Sequence, residues 1–134
     1  MRYLMMIKEA GQPPPPELMA GMAALTAEMA QAGVLLSAEG LTPSAQGMRL
    51  SYSDGRRTVV DGPFAEAKEL VGGFAILRAD SREQALALAQ RVLDVHIAAG
   101  VEEFAMEIRP LYEPALRADG AATDKPAQAQ ATTG

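Results

Sequence analysis

Arg2-Tyr3-Leu4-Met5-Met6-Ile7-Lys8 is apolar at five consecutive positions and bounded by charge on both sides. Five residues is a strand length, too short for a buried helix. Side chains alternate along a strand, so Tyr3, Met5 and Ile7 share one face while Leu4 and Met6 share the other. Both faces are apolar. The stretch therefore reads as an interior strand, flanked by neighbours and covered on both sides.

Downstream, Pro13-Pro14-Pro15-Pro16 reads as a stiff lead-in to a helix. Leu18, Met22, Leu25, Met29 and Ala32 then recur on one helical face, and Gly33 stands where a left-handed terminator is wanted. Val34–Leu36 and Met48–Ser53 read as strands, separated by the turn signal Gly40-Leu41-Thr42-Pro43. Asp54-Gly55 is a hairpin signal and returns the chain through Arg56–Val60. Val71–Ala79 reads as another strand. Asp80 with Glu83 suggests a capping box for a helix carrying Ala85, Ala89, Val92, Leu93 and Ile97 inward, with Gly100 ending it. Glu103–Leu111 closes the pattern, with Phe104, Met106 and Ile108 on one face and Glu107 and Arg109 on the other.

The order is β-α-β-β(β)-β-α-β. It predicts an α+β, ferredoxin-like βαββαβ fold with an extra hairpin strand. In such a layer the helices cover one sheet face. The other face here still carries apolar groups, which predicts face-to-face packing in a homodimer.

Composition bounds the rest. The chain has 134 residues, 49% of them hydrophobic, which suits one domain with a real core. Every Tyr and Phe lies before residue 113, and 114–134 is mostly Ala, Thr, Gln, Asp and Gly. The expected division is a domain over 1–113 and a disordered tail over 114–134. Cysteine is absent, so disulfides and thiolate chemistry are excluded. One histidine, His96, leaves no His-rich metal site in a single chain. No cofactor is expected. A net charge of −5 argues against a nucleic-acid binder that relies on a basic surface. The longest early apolar run, Tyr3–Ile7, is too short for a signal peptide or membrane span, and the expected location is cytoplasmic.

Asp61-Gly62-Pro63-Phe64-Ala65-Glu66-Ala67-Lys68-Glu69-Leu70-Val71-Gly72-Gly73-Phe74 closely resembles the signature of the DGPF group of YCII-related proteins, which reads approximately DGPFAETKE-x-x-GG-aromatic. Ala67 stands where the family prefers Thr. The start MRYLMMIK, the pair Gly40-Leu41 and the ending Glu107-Ile108-Arg109-Pro110-Leu111 also look like family features. The resemblance covers about residues 1–113. It implies a dimeric α+β barrel, the fold shared with muconolactone isomerase-like proteins. Enzymes using a His–Asp pair have been proposed within the broader family, with the His near the first helix. This chain has no His there. The family also implies, by genomic context alone, an association with sigma factors of the extracytoplasmic-function type.

Several residues are candidates for chemistry. Asp61 precedes a Gly-Pro turn, where it can bond backbone N–H groups or serve as an acid-base group at a pocket rim. Gly62 permits an unusual backbone angle, Pro63 fixes the next, and Phe64 can plug the core or line that pocket. Lys68 can bind an anion and Glu69 can act as a base, or both can form a solvated charged run. Glu107 and Arg109 share a strand face, as a structural pair or with Arg109 holding a substrate carboxylate. His96 reads as a helix-end side chain interacting with the helix dipole. Two functions remain open: a homodimer binding a small polar or anionic ligand, with isomerase- or lyase-like proton transfer, and a non-catalytic regulatory or interaction module.

Overall fold

The computed structural model describes residues 1–9, 12–64 and 71–113. The predicted tail over 114–134 lies outside them, as does the charged run at 65–70.

Strand β1 (Arg2–Lys8) is central, as its two apolar faces predict. It pairs antiparallel with β5 (Val71–Arg78) on one side and β6 (Met106–Pro110) on the other. Strand β2 (Leu35–Gly40) adds to the far side of β5, giving the order β2-β5-β1-β6. Strands β3 (Met48–Ser53) and β4 (Arg56–Asp61) form a separate two-stranded sheet. Asp54 and Gly55 turn this hairpin with φ of 53° and 75°, the left-handed pair that a tight two-residue hairpin needs.

Helices α1 (Pro16–Gln31) and α2 (Arg82–Ala98) cover one face of the four-stranded sheet. That face presents Met5, Ala75 and Leu77, which pack with Leu25 and Met29 of α1 and with Ala89 and Val92 of α2. A second cluster joins Tyr3, Ala79 and Ala85. Phe104, Met106 and Ile108 pack against the first cluster from the edge, as their alternation predicts. An Arg91–Glu28 ion pair of 2.7 Å links the two helices.

Four local expectations are corrected. The second strand begins at Leu35 and runs to Gly40, not over Val34–Leu36. The last strand is shorter than predicted, because pairing with β1 starts only at Met106. The N-cap of α2 is Ser81, not Asp80: its hydroxyl accepts from Gln84 N–H at 3.0 Å, while Gln84 Oε1 accepts from Asp80 N–H. The inward face of α2 is Ala85, Ala89, Val92 and His96, whereas Ile97 is exposed. His96 stands in the last turn of α2, as expected of a helix-end side chain, but it is buried and stacked on Phe104.

Among the described residues no helix covers the other face of the sheet. Directly paired residues share a face, so Leu4 with Ile76 and Met6 with Phe74 form an apolar centre. Arg109 lies opposite Leu4, and Glu107 lies opposite Met6. Ser37 and Glu39 complete the two rows on β2. At the far end of β1, Arg2 Nε donates to Glu113 Oε1 at 2.9 Å, and Leu111 N–H donates to the Arg2 carbonyl at 2.9 Å.

Candidate functional site

The Asp61-Gly62-Pro63-Phe64 turn leaves β4 and folds back on a short 3-10 turn, Ser44–Gln46. Gly62 N–H donates to the Gly47 carbonyl at 2.9 Å. A Cβ at Gly62 would lie 1.8 Å from the Ser44 carbonyl oxygen. Glycine is required here by this close approach, not by the unusual backbone angle expected from the sequence. The Gly62–Pro63 peptide is cis.

Phe64 then stands at the wall of a cleft instead of plugging the core. The cleft holds about 380 Å³ and is lined by Glu9, Leu41, Thr42, Pro43, Ser44, Gly47, Phe64 and Val71. That volume lies in the range of small-molecule sites. The Arg49 guanidinium sits over the Phe64 ring, 4.2 Å from its centroid, a cation–π geometry. Glu9 follows β1 directly, and Gly72 lets the two backbones approach: a Cβ there would meet Glu9 Cα at 3.0 Å. Across the cleft, Glu9 Oε2 accepts from Ser44 N–H at 2.9 Å. Leu41 N–H donates to the Gly72 carbonyl at 2.9 Å and pins the loop to the sheet.

The remaining candidates are spread out. Asp61 ends β4 opposite Met48, is exposed, and does not belong to the cleft lining. Glu107 and Arg109 lie on the open sheet face. Glu107 Oε1 is 3.6 Å from Lys8 Nζ, and its Oε2 is 3.7 Å from an Arg109 guanidinium nitrogen. These lengths make a loose ionic chain, not a bidentate clamp. Lys68 and Glu69 lie outside the described residues. No cluster of three or more metal-ligating side chains occurs among the described residues.

A larger cleft of about 680 Å³ lies along α1 and β2, walled by Met22, Leu25, Met29 and Leu77. Its Thr26 hydroxyl is committed to the Met22 carbonyl at 2.8 Å. The larger cleft is also lined by a carboxylate, two hydroxyl residues and an aromatic ring, Glu39, Thr26, Ser37 and Phe74; the smaller one is set apart by the Glu9–Ser44 hydrogen bond across it and by Phe64 of the Asp61–Phe64 turn. Nothing in the sequence singles out Glu9, Thr42 and Ser44. Glu9 there is only the polar end of a strand, and its partner is 35 positions away.

Known proteins share parts of this chain. A relative from Rhizobium meliloti (strain 1021), an uncharacterised protein designated R00369, is 32% identical over 99 residues, covering 72% of this chain and 77% of its own. Among solved structures, the chain is similar to 5-chloro-2-hydroxyhydroquinone dehydrochlorinase, TftG, from Burkholderia phenoliruptrix AC1100 in complex with 2,5-dihydroxybenzoquinone. That match has 18% identity, a TM-score of 0.42, and covers 85% of this chain and 97% of that one. The model of the YCII-related domain matches residues 1–107, and the chain belongs to the YCII-related family.

Proposed function

We propose that this protein binds a small polar organic molecule in the cleft between Glu9, the Ser44–Gln46 turn and Phe64. The observation that carries the reading is the convergence there of a fixed carboxylate, the Thr42 and Ser44 side chains, and an aromatic wall within about 380 Å³. The segment 65–70 leaves from Phe64 and returns at Val71, and both of these residues line the cleft. Lys68 and Glu69 lie between Phe64 and Val71 in the sequence, and in this proposal Glu69 exchanges a proton with the ligand while Lys68 stabilises developing negative charge. Asp61, at the start of the same turn but outside the cleft lining, is the alternative to Glu69 as the acid-base group. Arg109 and Glu107 act on the open sheet face, outside the cleft.

The test is a thermal-shift screen of the full chain against small alcohols, amines, carboxylates and lactones. A ligand of the folded state raises the melting temperature by mass action. A hit that disappears in Phe64→Ala, with the fold retained, supports the site. A hit unaffected by Phe64→Ala and Lys68→Ala places the ligand elsewhere.

A second part of the proposal is a homodimer formed through the open sheet face. Its support is the row Leu4, Met6, Phe74 and Ile76, an apolar centre that no helix of the described residues covers. The interaction-module alternative has its own support. Met48, Leu50 and Tyr52 of β3, with Val59 of β4, leave most of their surface exposed on one face of the hairpin. Cross-linking of the purified chain tests the homodimer, and a partner whose capture is lost in Leu50→Glu with the fold retained tests the hairpin face.

A further inference from the structure

The cleft is asymmetric in charge. Among its described lining residues Glu9 is the one that ionises as an acid, and none is basic. Its Oε2 is held by the Ser44 N–H at 2.9 Å. Its Oε1 has no protein donor among the described residues. An ionised carboxylate accepts and does not donate, so the group that completes it must be a donor. The Thr42 and Ser44 hydroxyls can donate or accept, and Leu41, Pro43, Phe64 and Val71 supply apolar walls. Arg109 is not part of the lining, and the Arg49 guanidinium is engaged on the Phe64 ring.

Building on the ligand-site reading above, we propose that Glu9 recognises the ligand through a donor group. The ligand is a compact molecule with an ammonium or hydroxyl group on an apolar frame, and it is not a carboxylate. An anion in this cleft would face the Glu9 carboxylate, a like charge that disfavours it relative to a donor.

Three probes with one ring and different polar heads test this: benzylamine, benzyl alcohol and benzoate, titrated at neutral pH into the full chain. The readout is the amide chemical shifts of Leu41, Thr42, Ser44, Gly47, Phe64 and Val71. The expected order of affinity is benzylamine first, then benzyl alcohol, then benzoate. Glu9→Gln keeps an acceptor for the Ser44 N–H and puts an amide donor where Oε1 was. It is expected to weaken benzylamine by roughly tenfold or more without weakening benzoate. Benzoate binding at these resonances more tightly than benzylamine overturns the donor assignment and leaves the site standing, as does benzylamine binding equally to both chains. Silence of all three probes at these resonances removes the ligand site itself, and the role of Glu9 with it. If Glu9→Gln does not fold, the order of the three probes on the unaltered chain decides for or against the donor assignment by itself.

Discussion

The imidazole of His96 lies against the ring of Phe104, with centroids 3.7 Å apart and planes inclined by 24°. Its Nδ1 is 2.8 Å from the Val92 carbonyl oxygen one turn earlier in α2. A carbonyl only accepts, so Nδ1 carries the hydrogen and donates it. The pair closes the end of the core where α2 meets the approach to β6. His96→Ala removes both the stack and the hydrogen bond and is expected to cost about 2–4 kcal/mol. His96→Phe keeps an aromatic partner and should cost about 1 kcal/mol. Urea unfolding of the two variants measures the difference, and a neutral His96→Ala would refute a structural role.

Gly62→Ala would push a methyl group into the Ser44 carbonyl. The turn must move, and Phe64 moves with it. A loss of about 2 kcal/mol or more is expected, together with altered Phe64 and Ser44 resonances. Gly40→Ala is the control, because nothing lies within 4 Å of its added carbon. That variant should stay within about 1 kcal/mol of the parent. Equal effects of the two would show that close approach is not what demands Gly62.

Ser81 caps α2 through its hydroxyl, which accepts from Gln84 N–H. Ser81→Ala should lower stability by about 1 kcal/mol. Glu83 takes no part in that cap, so Glu83→Ala should change stability by less. Thermal melts of both variants decide between this cap and the Asp80–Glu83 box that the sequence suggests.

The open sheet face carries Met6 opposite Glu107 on one side and Phe74 on the other. Light scattering at micromolar concentration is expected to report about twice the chain mass. Met6→Glu places a charge in the centre of the apolar row and should yield a folded species of half that mass. A parent chain that scatters as a monomer would remove the face-to-face association.

Much of the fold can be read from local chemistry. The double-sided apolar run Tyr3–Ile7 marks an interior strand, and Asp54-Gly55 marks a hairpin, since each pattern acts over neighbouring residues. The inward face of α2 is harder to phase. Two of its four buried positions are alanine and one is His96, so Ile97 offers a stronger hydrophobic signal than His96, although the two lie about 100° apart around a helix. Asp80 and Ser81 are both cap-forming types, and only the backbone decides which takes the position. Phe64 is legible because it sits in a motif. Glu9 is not, because its meaning comes from Ser44 across the fold, and no periodicity links a strand end to a turn so far along the chain.

Among the described residues the hairpin of β3 and β4 pairs only with itself, and this has a consequence for amide hydrogen exchange. Its N–H groups can open without breaking any rung of the four-stranded ladder, so they should exchange by local fluctuations, while those of central β1 wait for global unfolding. The cleft lies on the seam between these two cooperative units. Ser44 and Phe64 come from the hairpin side, Glu9 and Val71 from the sheet side, and the Glu9–Ser44 bond spans the gap. An occupant touching both walls would fasten one unit to the other. Slowed exchange along Met48–Asp61, at residues the occupant never touches, would be its signature.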